Sequence, residues 1–147
     1  MTAGTIVFMV LAIVVGVALI NLAVWIPIGR ALRRLPDRVR GELEAAGHRL
    51  ERGPERGVYR GASAGYGKVK GLGVIALTDR ALVFRKLWGA RIEIPRDAIT
   101  GTRSDRWFLR SYAGGRTHVI VVLRDGAEVG FFVNDCEAWL KALAPAA

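Results

Sequence analysis

From Thr5 to Ile28 the chain carries no charged residue, and the run Ile6-Val7-Phe8-Met9-Val10-Leu11-Ala12-Ile13-Val14-Val15 continues through Gly16 to Ala23 almost without polarity. A helix rises about 1.5 Å per residue, so this stretch is long enough to cross a hydrocarbon core of roughly 30 Å with some tilt. The expectation is a transmembrane helix over residues 5–28, with residues 1–4 as a short extracytoplasmic N-terminus. A cleaved signal peptide is the competing reading. The segment Met1-Thr2-Ala3-Gly4 has no Lys or Arg, however, and no small-x-small site with a suitable flank follows the apolar run, which favours retention as an anchor. Asn21 is the one strongly polar residue inside the run, placed either to bond across a helix pair or to reach headgroups or its own backbone.

Charge begins where the run ends. Arg30, Arg33, Arg34, Arg38 and Arg40 crowd behind it, and the positive-inside rule then places the C-terminal part in the cytosol, beneath an inner or plasma membrane. Trp25 lies where an interfacial aromatic belt forms. The same arginines set topology and are also positioned to hold anionic headgroups. Over the whole chain 22 Lys and Arg stand against 13 Asp and Glu, a formal charge of +9. Such a balance attracts polyanions, and attachment to a bilayer makes anionic lipid a nearer partner than nucleic acid. The bias towards Arg, Ala and Gly points to a GC-rich bacterial genome.

Several chemistries lack the residues they need. Cys136 is alone, so no intramolecular disulfide forms. One Cys with His48 and His118 far apart offers no metal-ligand pair, and neither a metal nor a cofactor is expected. No nucleophile elbow surrounds Ser63, Ser104 or Ser111, and the Gly65-x-Gly67 and Gly71-x-Gly73 pairs have no Gly-Lys-Ser/Thr box after them. A non-catalytic role is expected.

Between Gly29 and Gly57 the apolar residues Leu32, Leu35, Val39, Leu43, Ala46 and Leu50 recur at steps of three and four, one stripe on a helix. Pro36 fits a first turn, which predicts a break there and an amphipathic linker helix from Pro36 to about Leu50. That helix would pack on the soluble domain or on a second copy of itself, so a homo-oligomer is an open outcome. Gly53-Pro54-Glu55-Arg56-Gly57 reads as a breaker, and residues 29–56 form the juxtamembrane linker.

The remaining residues, 57–147, change to short apolar runs punctuated by turns, the spacing of a small all-β domain with one core. Strands are predicted at Val58–Ser63, Leu72–Leu77, Ala81–Lys86, Arg91–Ile94, Gly101–Leu109, His118–Leu123 and Glu128–Val133. Thr78-Asp79-Arg80 and Asp125-Gly126 mark hairpin turns. A helix follows over 134–144, capped by Asn134 or Asp135 and stopped by Pro145, with Cys136, Trp139, Leu140 and Leu143 on its apolar face. It would cover the open end of a barrel of about seven antiparallel strands.

The hairpin Gly73-Val74-Ile75-Ala76-Leu77-Thr78-Asp79-Arg80-Ala81-Leu82-Val83-Phe84, the corner Ile94-Pro95-Arg96-Asp97-Ala98-Ile99 and the final helix with Trp139 resemble the pleckstrin-homology superfold, especially GRAM-like and bacterial PH-like domains. The likeness covers roughly Val58 to Leu143. The whole layout is also similar to small actinobacterial membrane proteins. In lipid-binding PH domains the loop between the first two strands grips headgroup phosphates with basic residues, which the resemblance carries onto Lys68 and Lys70 among their glycines. The arginine that usually follows in the second strand is missing, because Leu72–Leu77 is apolar throughout.

Two functions follow as expectations. One is a non-catalytic, membrane-anchored PH-like module at the cytosolic membrane face that binds anionic headgroups, through Lys68, Lys70 and the arginines at 30, 33, 34, 38 and 40, or a membrane-associated protein. The other is a structural adaptor that associates through its transmembrane and linker helices. Trp88, beside a hairpin-tip glycine, and Trp107 and Arg110, in a basic and aromatic run, are the candidate partner contacts, although alternate residues of such a run usually belong to a core.

Overall fold

A computed structural model describes residues 3–112 and 114–144. The chain divides into two compact units, Met1–Arg33 and Arg34–Ala147. Helix α1 runs Ala3–Ala45. Its N-terminal part is exposed along its whole apolar length, with a mean hydropathy of 2.9 over the most apolar window and none of that window buried. It is long and apolar enough to cross a membrane. Asn21 donates from Nδ2 to the carbonyl of Val17 at 2.9 Å, so one of its polar groups is satisfied within its own helix.

The second unit opens with the end of α1, and the expected break at Pro36 is absent. The helix passes through Pro36 because Leu35, Val39 and Leu43 are buried one turn apart against Val74, Ala76, Ala81 and Val83. Burying three such side chains contributes about 1.5–3 kcal/mol each, which exceeds the cost of about 3 kcal/mol for an interior proline. The helix ends earlier than expected. Gly47, at φ +76°, occupies the left-handed position of a Schellman cap in which His48 N–H donates to the Leu43 carbonyl and Gly47 N–H to that of Glu44, both at 3.0 Å.

Strand β1 then spans Leu50–Ala62 and takes in Gly53–Gly57, where a domain boundary was expected. The glycine and proline break the ladder without ending the strand: register shifts fall between Leu50 and Arg52 and between Arg52 and Glu55, with Gly53 at φ +77°. The other strands are β2 Gly71–Thr78, β3 Ala81–Lys86, β4 Arg91–Pro95, β5 Ile99–Asp105, β6 Trp107–Phe108, β7 Ser111–Tyr112, β8 His118–Leu123 and β9 Glu128–Phe132. Seven of them form one antiparallel sheet in the order β4-β3-β2-β1-β9-β8-β5.

The apolar run in β2 now has a cause. Ile75 and Leu77 face the main core with Leu82 and Phe84 of β3, whereas Val74 and Ala76 face α1. From Gly73 to Thr78 the strand is buried on both faces, which leaves no position for an arginine there. Helix α2, Cys136–Leu143, packs against β5 and β8 with Trp139 and Leu143 in the core, and Asp135 caps it by accepting from Ala138 N–H at 3.0 Å. The expected stop at Pro145 lies outside the described residues.

The predicted fifth strand, Gly101–Leu109, is two elements. Asp105 ends β5 by turning its carboxylate onto the Trp107 N–H at 3.0 Å, and β6 folds back on β7 as a separate two-stranded hairpin. That hairpin carries much of the site described next.

Candidate functional site

Two glycines make the floor on which the β6–β7 hairpin rests. Phe108 is buried with its ring on Gly130 of β9, where an added Cβ would collide with the ring. Leu109 covers Gly61 of β1, a residue that also lies against the Lys68 carbonyl. The hairpin turn is therefore held beside the β1–β2 loop.

That loop is pinned independently. The buried Tyr59 hydroxyl donates towards the carbonyls of Tyr66, at 3.0 Å, and Gly67, at 2.7 Å. Lys86 donates to the Val69 carbonyl at 2.9 Å while lying over the Tyr59 ring. Burial pushes the Tyr59 pKa up to about 12, so the hydroxyl keeps its proton and remains a donor.

Between loop and hairpin lies a pocket of about 280 Å³ lined by Arg60, Lys68, Lys70, Leu109 and Arg110. Ser111 Oγ accepts from Arg60 Nη2 at 2.5 Å and from Lys70 Nζ at 3.0 Å. With both lone pairs taken by cationic donors, the serine hydroxyl retains only its proton to offer. The Arg60 Nε is buried with no protein acceptor. Among the described residues, ion pairs engage Arg91, Arg96 and Arg103 with carboxylates, and none of the four cations of the pocket. Asp105, the nearest acid along the hairpin, is committed to Arg103 at 3.0 Å.

The wall behind Arg60 is aromatic. The guanidiniums of Arg60 and Arg116 lie 4.7 and 5.0 Å from the Phe132 ring centre, and His118 stacks on the same ring at 4.3 Å. His118 is fully buried, with Nδ1 3.0 Å from the Asp105 carbonyl and Nε2 without a partner. Burial holds its pKa below the usual value, and the positive charges of Arg60 and Lys70 act in the same direction.

The structure therefore brings Lys68, Lys70 and Arg110 together, and adds Arg60 and Ser111, which the sequence reading missed. Arg60 follows the inward-facing Tyr59 in β1, so alternation alone points it away from the main core; what it meets depends on a hairpin fifty-one residues away. Trp107 is 60 % exposed and pairs across the hairpin with Tyr112, ring centres 5.2 Å apart, while its neighbour Phe108 is core. Trp88 is exposed in the β3–β4 turn. Arg30 and Arg33 are exposed in the first unit, and Arg34, Arg38 and Arg40, exposed on the part of α1 that belongs to the second, do not line this pocket. Cys136 is half-buried, and burial together with Asp135 and Glu137 pushes its thiol up, as suits an inert thiol. Among the described residues no three His, Cys, Asp or Glu side chains group to hold a metal.

The sequence matches no protein-family model and no curated protein.

Proposed function

We propose that this chain is a membrane-anchored, PH-like module that binds a phosphorylated lipid headgroup in the Arg60–Lys68–Lys70–Arg110 pocket on the cytosolic face. The observation that carries this reading is the Ser111 hydroxyl held between two cations, because with its lone pairs taken the polar side chains that meet at the pocket all donate, beside the apolar Leu109. An occupant must then be an acceptor-rich anion, and a phosphate group is the compact anion that meets several donors at once. The seven-stranded order with a helix after the last strand supports the PH-like assignment. The apolar part of α1, followed by Arg30 to Arg40, supports anchoring with the C-terminal domain inside. The adaptor alternative loses one of its surfaces, since Leu35, Val39 and Leu43 are committed to β2 and β3.

Lysine acylation of the full chain in nanodiscs tests the proposal. With only Lys68, Lys70, Lys86 and Lys141 to modify, Lys141 serves as the exposed control. Phosphatidic acid in a phosphatidylcholine disc is expected to protect Lys68 and Lys70 while leaving Lys141 reactive. Equal reactivity at Lys68 and Lys70 in both discs would refute it.

A further inference from the structure

The β6–β7 hairpin exposes more apolar surface than its packing requires. Trp107 is 60 %, Tyr112 49 % and Leu109 41 % exposed, and Val69, between the two lysines of the pocket, is 76 % exposed. They belong to one surface, because Leu109 and the Lys68 carbonyl both lie on Gly61 and Lys70 reaches Ser111 of the hairpin. Cations interrupt this apolar set throughout: Lys68, Lys70, Arg106 and Arg110.

The turn is held in an unfavourable backbone. Leu109 and Arg110 sit at φ +45° and +61°, the left-handed pair that a two-residue hairpin normally fills with Asn and Gly. A leucine and an arginine there cost about 1–2 kcal/mol each. In exchange the hairpin presents an apolar and a cationic side chain at its tip, with the Trp107–Tyr112 pair behind them.

We infer that this hairpin, with Val69, enters the interfacial layer of an anionic bilayer, so that the phosphate in the pocket is one displayed on a membrane. The inference rests on the headgroup reading above and adds which segment of the domain enters the bilayer that displays the headgroup. Trp and Tyr favour the headgroup zone because their rings are apolar and their N–H and O–H remain hydrated, and Lys and Arg bury their stems while their charges meet phosphates. A protein partner would be expected to offer acidic side chains and one contiguous apolar surface. Here the apolar groups are separated by cations that, among the described residues, no carboxylate pairs, the complement of an anionic lipid surface.

The test uses the full chain in nanodiscs, with Cys136→Ser and Trp107→Cys carrying a polarity-sensitive fluorophore at the new thiol. In phosphatidylcholine discs containing phosphatidic acid, the emission is expected to shift to the blue and to be quenched by a lipid-borne quencher. Both effects should disappear with Arg60→Ala and Lys70→Ala. Saturating glycerol 3-phosphate in phosphatidylcholine discs is expected to protect Lys68 and Lys70 while leaving the emission aqueous. An aqueous emission in anionic discs whose lysines are protected overturns hairpin insertion and leaves the headgroup reading intact. Unprotected lysines in those discs overturn both.

Discussion

Arg60 of β1 donates from Nη2 to Oγ of Ser111 at 2.5 Å, tying a central strand of the sheet to the inserted β6–β7 hairpin. Lys70 reaches the same oxygen at 3.0 Å from the β1–β2 loop. One hydroxyl thus aligns two cations from two other segments.

Removing either partner is expected to have unequal effects. Arg60→Ala deletes a charge and its hydrogen bonds, worth about 1.5–3 kcal/mol, so affinity for a phosphate monoester should fall by about ten- to hundredfold. Ser111→Ala leaves both cations in place without their shared acceptor and should cost about three- to tenfold. Titration of each variant with glycerol 3-phosphate, full chain in neutral nanodiscs, checks the order.

At the hairpin turn, stability and binding should move in opposite directions. Arg110→Gly relieves a left-handed arginine and is expected to stabilise the fold by about 1 kcal/mol while removing one cation from the pocket. Thermal unfolding should rise by a few degrees as affinity drops. A variant that loses both would show that the arginine stabilises the turn.

Gly130→Ala places a methyl group where the Phe108 ring lies and should lift the hairpin from the sheet. Loss of phosphate binding is expected, with partial recovery when Phe108→Leu frees the space. Without that recovery, the glycine would be needed for something other than the ring.

The pH response follows from His118 and Tyr59. His118 is buried, and its folded pKa lies below the ordinary 6.5. The unfolded chain therefore takes up the proton first, so stability is full above about 6.5 and declines as the pH falls below it. His118→Leu should flatten that decline. Tyr59 behaves in the opposite sense: its folded value is about 12 against an ordinary 10.0, so stability is full below 10 and is lost as the pH rises towards 12. Chemical denaturation across both windows, with Tyr59→Phe for the second, measures the two slopes.

Much of the architecture was legible in local patterns. Ala81–Lys86 and His118–Leu123 were placed at their observed bounds, and the Thr78–Arg80 and Asp125–Gly126 turns join the strands they were expected to join. Asn134 and Asp135 both offer a cap for the final helix, and Asp135 is the one that caps it. Two of the errors fall where tertiary contacts outweigh local preference. Pro36 and Gly53-Pro54 are breakers by propensity, yet the burial of Leu35, Val39 and Leu43 carries the helix past one, and the pairing of β1 with β2 carries the strand past the other. Gly47 is a local signal for the true helix end, one that the stripe running on to Leu50 masks.

The site was half legible for the same reason. Lys68, Lys70 and Arg110 stand out in a sequence with few lysines and one cluster of aromatic and basic residues. Arg60 and Ser111 do not, because their meaning comes from a contact between β1 and a two-residue strand that no periodicity announces. The hairpin itself depends on Gly61 and Gly130 having no side chain, and two unremarkable glycines in separate strands give no warning that they lie beneath one loop.

The most direct test of the headgroup reading is calorimetric titration of the full chain in neutral nanodiscs with glycerol 3-phosphate, alongside the same titration of a chain carrying Arg60→Ala and Lys70→Ala. Saturable one-site binding is predicted for the native chain, weakening as salt screens the exposed cations, with no detectable heat from the double variant. Equal binding by both chains, or none by either, would contradict it.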